Sequence, residues 1–351
     1  MSFKRENGLL NFLFMNFKET GIFQQQKVSI KSLLPEIGIE QARQEIITGL
    51  TARNPYISSK FFYDEQGSKL FKKITQLKEY YPTRTEKGIL TEIAFDFMNR
   101  KSSFEIIELG SGDCSKISIL LNAVEQQNLE NLKYIPVDFS QSAIEDSANE
   151  LSDRFPEVEI SGYVADFFHQ IHAIPHADIP RMICFLGSTI GNFPRKEAKE
   201  IVLSLSEELL DGDSLLIGFD LVKPEHILRA AYNDSLGVTE KFNKNILNVV
   251  NEIIKSDFKL NNFDHLSYFN RERSRIEMHL VSNKNCTVKS PFLDKPIQFK
   301  KGDSVHTENS HKYTMETIQE LIDGSGLAII NNYVDSRNWF ALVEFERKFE
   351  R

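Results

Sequence analysis

The chain has 351 residues, 41% of them hydrophobic, which gives room for one large domain or two modest ones with a real core and excludes a tail or a repeat array. Lys and Arg total 42 against 50 Asp and Glu, a net charge of −8 with no dense basic block, so neither nucleic acid nor an anionic membrane is an expected partner. The three cysteines, Cys114, Cys184 and Cys286, are odd in number and lack a paired short spacing, which argues against a disulfide framework or a thiolate zinc site and for a reducing, cytoplasmic setting.

The opening "MSFKRENGLLNFLFMNFKET" joins early positive charges to a short apolar stretch, Leu9 to Phe17. Asn11 and Asn16 interrupt it and no small-residue cleavage site follows, so no targeting segment is expected, and no run approaches the length of a membrane span. Regular patterning begins near residue 83, where Thr83 to Glu86 reads as a capping box and Ile89, Leu90, Ile93, Phe97 and Met98 follow at helical spacing. Five short buried strands are then predicted: "FEIIEL" (104–109), "KYIPVD" (133–138), "VEISGYVAD" (158–166), "RMICFL" (181–186) and "SLLIGFDL" (214–221). Helical stretches lie between most of them, "KISILLNAVEQQ", "SAIEDSANELSDRF" and "RKEAKEIVLSLSEELL". This alternation predicts an α/β fold with a parallel, doubly wound Rossmann-like sheet.

After residue 221 a helical region, about 224–255, precedes the strand-like "RIEMHLVS", "CTVKS" and "PIQFKKGDSVHTE", which read as an antiparallel insertion. The helix "TMETIQELIDGSG" and the strands "LAIINNYVD" and "WFALVEFER" then return to the first pattern. The expected division is a Rossmann-like domain of residues 84–221 and 311–351, and a second, smaller discontinuous α+β domain of residues 1–83 and 222–310.

The ends of the predicted parallel strands carry the chemistry. "ELGSGDCSK" puts Gly110, Ser111 and Gly112 where the first strand turns into a helix, so that bare backbone admits a ligand closely. A dinucleotide fold wants a third glycine where Ser115 stands, to open a helix terminus to pyrophosphate, whereas S-adenosylmethionine has no phosphate and needs less of that device. Asp138 ends the second strand, where one carboxylate accepts both hydroxyls of a ribose, and Asp166 ends the third, followed by Phe167, an acid and an aromatic suited to an adenine amine and ring face. Singly, each acid reads equally as a helix cap or a solvated turn. With the glycines they point to an adenosyl cofactor. The "FLGSTIGNF" loop (185–193) ends the fourth strand on the same rim. The histidines of "HQIHAIPH" (169–176) have ligand-like spacings, but Pro175 interrupts any helix that would align them and no carboxylate pattern completes a site, so no metal is expected.

The segments "FFYDEQGSKLFKKITQLKEYYPTRTEKGIL", "IELGSGDCSK", "YIPVDFS", "FLGSTIGNF", "AAYNDSLGVTEKFNKNIL", "IEMHL" and "HTENSHKY", in this order, closely resemble the histidine-specific Nα-methyltransferases of ergothioneine biosynthesis, over roughly residues 55 to 351. The resemblance implies an S-adenosylmethionine-dependent enzyme that trimethylates the α-amino group of L-histidine to hercynine, with a discontinuous second domain helping to close the substrate site. It implies cofactor contacts at Gly110, Lys116, Asp138, Asp166 and Phe167. Substrate contacts would fall on Tyr63, Tyr80, Gly187, Asn192, Tyr232, Met278, Glu308 and Ser310. The chain departs from the family pattern at Asn309 of "TENSHKY", where an apolar residue is more usual.

Those residue types suit the chemistry. Asn192 and Tyr232 are neutral donors for a carboxylate, Glu308 accepts an imidazole N–H, Ser310 serves the other ring nitrogen, and Tyr80 packs on the ring. No single residue announces itself as the proton acceptor: Tyr63 with a water is the expected one and solvent alone the alternative, and the Tyr63 ring would favour a growing quaternary ammonium. Each tyrosine reads on its own as an ordinary core residue, and Glu308 as a strand-end surface acid. The alternatives are methylation of another aromatic amino acid amine such as dimethylallyltryptophan, a non-catalytic S-adenosylmethionine-binding protein, and a nicotinamide-dependent dehydrogenase, the last disfavoured by Ser115. A monomer is expected.

Overall fold

The computed structural model describes residues 27–33 and 39–348, the side chains of Phe168 and His169 excepted. The apolar stretch from Leu9 to Phe17, weighed above as a leader, lies outside them. The elements run β1 (Val28–Ser32), α1 (Ile39–Thr51), α2 (Glu65–Ile74), α3 (Tyr81–Met98), β2 (Phe104–Leu109), α4 (Ile117–Asn122), β3 (Leu132–Asp138) and α5 (Gln141–Arg154). They continue with β4 (Glu159–Val164), α6 (Phe167–Gln170), β5 (Arg181–Phe185), α7 (Arg195–Glu207), β6 (Ser214–Asp220), α8 (Glu225–Ala231) and α9 (Val238–Ile253). The last are β7 (Phe263–Asn270), β8 (Arg275–Ser282), β9 (Cys286–Val288), β10 (Ile297–Phe299), β11 (Ser304–His311), α10 (Met315–Ile322), β12 (Leu327–Val334) and β13 (Phe340–Arg347).

Among the described residues two compact units emerge, one from residues 39–81 and 223–311, the other from residues 27–33, 82–222 and 312–348. The second holds an eight-stranded sheet of order β1-β4-β3-β2-β5-β6-β13-β12. Its first six strands are parallel, and β13 and β12 close the far edge antiparallel. Strands β2, β5 and β6 are buried at every residue, as central strands covered on both faces must be, which is why they read as largely apolar runs even with Glu105, Glu108, Arg181 and Asp220 among them. Alternation sends Ile106 into a core with Ile89, Leu90 and Phe97 of α3, and Ile107 into a second core with Val202 and Leu205 of α7 and Leu321 of α10. Each such aliphatic burial contributes roughly 2 kcal/mol. The strand order reverses between β2 and β5, so the carboxyl ends of β2, β3 and β5 surround the position where sheets of this kind take ligands.

The other unit packs α9 on α2, with the antiparallel sheet β11-β8-β7 beside them. Strands β9 and β10 form a separate two-stranded ladder. In β11 the register shifts between His306 and Glu308: His306 pairs with His279, then Glu308 pairs with Met278, so Thr307 is an inserted bulge residue.

Three expectations are corrected. Val28–Ser32, assigned from sequence to the smaller domain, is an edge strand of the large sheet, and its Val-Ser-Ile-Lys-Ser alternation is the period of a half-buried strand. No capping box forms at Thr83–Glu86. Helix α3 starts at Tyr81 because Pro82, with its fixed φ and no N–H to satisfy, suits the first turn, and Thr83 lies inside the helix. Finally, β7 adds an unpredicted strand. Its inward residues include the polar His265 and Ser267 while Leu266 and Tyr268 are exposed, the reverse of the pattern by which strands are read.

Candidate active site

In the large-sheet unit the backbone does most of the shaping. Gly110 and Gly112 adopt φ of 68° and 56°, in the left-handed region that glycine enters without penalty. The Gly110 N–H is tied to the Val137 carbonyl at 2.8 Å. A side chain at Gly110 would meet nothing within 4 Å, so that turn faces open space. Beside it the buried Ser111 Oγ has no hydrogen-bond partner among the described residues. Asp138 anchors the same turn: Oδ2 accepts from the Gly112 N–H at 3.2 Å and Oδ1 from the Ser140 N–H at 2.9 Å. Burial raises its pKa above the ordinary carboxylate value, and the backbone donors pull in the opposite direction. At the end of β4 the Asp166 N–H donates to the Gln170 side chain at 2.8 Å. Phe167 is buried against Phe139 (5.8 Å between ring centroids) and Phe185 (5.9 Å), and Phe139 is itself exposed.

Lys116 and Gly187 meet at a residue the sequence reading used only as a helix cap. Glu86 is wholly buried on α3. Its Oε2 pairs with Lys116 Nζ at 2.9 Å, and Oε1 accepts from the Gly187 N–H at 2.7 Å. Its spacing from Ile89 and Leu90 puts it on the buried face of the helix, which was the available signal. A Cβ at Gly218 would overlap Glu86 Oε1, and a Cβ at Gly187, where φ is 80°, would come within 2.9 Å of Lys116 Nζ. The rest of the "FLGSTIGNF" loop is tightly held: Ser188 Oγ accepts from the Asp220 N–H at 2.8 Å and the Gly191 N–H donates to the Ser188 carbonyl at 2.9 Å. Asn192 closes the short helical turn Thr189–Asn192 and is half-buried. Under the glycine turn, burial pushes Glu108 up to about 7, opposed by the Tyr134 hydroxyl, which donates at 2.7 Å, and by the charge of Lys116.

In the other unit, side chains do the shaping. Tyr63, half of it or more covered, sets its ring edge against Phe71 (5.7 Å) and Phe242 (6.0 Å); Phe71 in turn meets Tyr80 (6.2 Å), and Tyr80 meets Tyr232 (6.2 Å). The Tyr232 hydroxyl and Ser310 Oγ share a hydrogen bond of 2.7 Å. Met278 and Glu308 are buried and directly opposed on β8 and β11. The structure thus brings Tyr63, Tyr80, Tyr232 and Ser310 into one chain of contacts. Phe71, the ring that joins Tyr63 to Tyr80, was missed because a phenylalanine on an amphipathic helix carries no functional signal.

Two further networks fix these side chains. Asp64 caps α2, accepting from the Gly67 N–H at 2.7 Å and from Asn245 Nδ2 at 2.7 Å, and so sets the chain just after Tyr63. Any Cβ at Gly67 would collide with the Phe62 carbonyl, which explains the glycine of "YDEQG". Thr307 donates to Asn243 Oδ1 at 2.7 Å, Asn243 bonds His265, and the other ring nitrogen of His265 lies 2.9 Å from the Tyr232 carbonyl. Burial lowers the pKa of His265 and so disfavours the charged ring, a push opposed by the bond to the Tyr232 carbonyl.

A parallel sheet whose order reverses beside a glycine turn, with an acid at the end of the next strand, defines a Rossmann-like fold of the kind that takes an adenosyl ligand. The family model "Histidine-specific methyltransferase, SAM-dependent" matches residues 42–347, and the chain belongs to that family. It is 36% identical over 310 residues to a histidine N-alpha-methyltransferase of Mycolicibacterium smegmatis, covering 88% of this chain and 96% of the relative. A protein of the same name from Mycobacterium tuberculosis is 33% identical, with 90% and 98% covered. The ergothioneine biosynthesis protein 1 of Schizosaccharomyces pombe is 29% identical, and the match spans 79% of this chain but 37% of that longer protein. Among the described residues no helix is long and apolar enough to cross a membrane.

Proposed function

We infer that this chain transfers methyl groups from S-adenosylmethionine to the α-amino group of L-histidine, in three successive steps that end at Nα,Nα,Nα-trimethylhistidine (hercynine), the first step of ergothioneine biosynthesis. The observation that carries the reading is the buried carboxylate of Glu308 with Ser310 two residues on, the latter already bonded to the Tyr232 hydroxyl. A buried acceptor beside a hydroxyl pair suits an imidazole, whose two nitrogens need different partners.

The residues of the large-sheet unit fit the cofactor: the open side of Gly110, the unpartnered Ser111 Oγ and the ionisable strand-end Asp138 together make a cradle for a polar, phosphate-free ligand. Asp138 would take the ribose hydroxyls, Asp166 and Phe167 the adenine, and Lys116, oriented by Glu86, the carboxylate of the methionine part. When bound, the cofactor supplies an electrophilic methyl carbon on a cationic sulfur. On the same unit Gly187 and Asn192 serve the amine and carboxylate of the amino acid.

Tyr80 packs on the substrate ring, and Tyr63 lies at the exposed end of the aromatic chain. The α-amino group is largely protonated near neutral pH and must lose a proton before each transfer, a task assigned to Tyr63 through water. Water-mediated contact leaves the donors to the amine expendable as methyl groups accumulate, while the tyrosine face attracts the growing quaternary ammonium. The enzyme is further proposed to act as a monomer in the cytoplasm, a setting that suits its free Cys114, Cys184 and Cys286.

Incubation with S-adenosylmethionine and an amino-acid panel, read by product mass, tests the assignment. Trimethylated histidine is the expected product. Mass gain on tryptophan or its prenylated form with none on histidine would transfer the chain to the alternative amine, for which Glu308 has no second N–H to receive.

A further inference from the structure

We propose that Glu277, His279 and His306 form a binding site for a divalent transition metal, with Zn2+ as the reference probe, on the face of the three-stranded sheet opposite Met278 and Glu308. The donor set comes from strand geometry. Glu277 and His279 are two residues apart on β8 and so share a face, and His306 is the register partner of His279 on β11. One ligand atom from each of the three lies within 4.8 Å of the other two. Glu277 Oε2 and His279 Nε2 are already 3.2 Å apart, and the two imidazoles meet edge to face at 5.0 Å between centroids. Ligand atoms on a tetrahedral zinc ion are separated by about 3.4 Å, so modest side-chain rotation closes the set.

Two imidazoles and one carboxylate with further positions open is a ligand composition that borderline divalent metals favour. The outer contacts are those of a supported site. Arg275 grips the other carboxylate oxygen, Oε1, through Nε at 2.8 Å and a terminal nitrogen at 2.7 Å, and Asn270 adds a third donor at 2.9 Å. This arrangement orients Oε2 toward the histidines. The Tyr268 hydroxyl donates to Oε2 at 2.6 Å while its ring stacks on His279 at 5.4 Å. Asn309 Oδ1 lies 3.0 Å from His306 Nε2 and orients that ring. Both histidines are half-buried, and Tyr268 at the rim is exposed, which gives an ion access. The guanidinium of Arg275 opposes the incoming charge and sets a moderate affinity. The sequence pattern announces no such site because the ligands converge only across a strand pair. A bound ion would tie β8 to β11 beside the bulge that presents Glu308.

The test is Zn2+ titration of chelator-treated full-length protein in competition with a chromophoric chelator, with thermal unfolding followed in parallel. One ion per chain is expected, and Zn2+ should raise the unfolding midpoint. His306→Ala and Glu277→Gln should each weaken binding tenfold or more, while His226→Gln at the exposed surface leaves it unchanged. Retained binding of S-adenosylhomocysteine certifies that each variant is folded, and His306→Asn replaces any variant that is not. Absence of saturable uptake, or uptake unchanged in either ligand variant, overturns the proposal.

Discussion

The two units offer candidate ligand-binding groups of different kinds. In the large-sheet unit the candidates are turns and strand ends: positive-φ glycines, backbone N–H groups, and carboxylates such as Asp138 and Glu86 that grip that backbone. In the other unit they are side chains contributed by separate segments, from Tyr63 and Tyr80 to Tyr232, Met278, Glu308 and Ser310. Recognition spread over backbone tolerates the loss of any one side chain better than recognition concentrated in a few buried groups.

Removing one side chain from each unit sharpens that contrast. Glu308→Ala should have the largest effect, lowering kcat/KM for histidine on the order of a thousandfold, since a site built around a polar partner discriminates far more strongly than an apolar one. S-adenosylhomocysteine affinity, measured by calorimetry, should change little, and an equal loss for both ligands would break the comparison. Glu86→Gln keeps the shape but removes the charge opposite Lys116, and should raise KM for S-adenosylmethionine roughly tenfold with a smaller change in kcat. Steady-state kinetics varying each substrate would reveal an unchanged KM and sink the positioning role.

The smallest effect concerns Glu108. Its folded pKa of about 7 exceeds the ordinary value of 4.5, so the folded state holds a proton that the unfolded chain releases. The associated stability is fully present below pH 4.5 and is lost as pH rises through about 7. Glu108→Gln should flatten that slope in denaturant titrations taken across this window, and a slope identical to the parent's would remove the assignment.

Legibility follows the same divide. The sheet could be read because β2, β5 and β6 are mostly apolar and the turn at Gly110 ends β2 sharply. Strand β7 escaped because its buried face carries His265 and Ser267, and the pairing of Glu86 with Lys116 escaped because the spacing that turns Glu86 inward does not name its partner. Of the substrate residues, none was evident from spacing. They came from the resemblance, and their convergence depends on ring contacts and strand register that no local pattern encodes. The place of Val28–Ser32 was the clearest misreading, since that segment already alternates as a strand should.

The bulge at Thr307 separates spacing along the chain from the face a residue occupies. A strand distributes its residues by parity, odd to one face and even to the other, and a single inserted residue exchanges the two classes for everything that follows. With Thr307 present, His306 and Asn309 share one face although an odd number of steps separates them, and Glu308 and Ser310 share the other with Met278. Deleting that one residue would restore plain alternation and leave Glu308 opposite Met278, whereas straightening the strand with Thr307 retained would turn Glu308 to the face of His279. In a relative of this chain, a one-residue gap between the positions of His306 and Glu308 would therefore leave both side chains on the faces they occupy here.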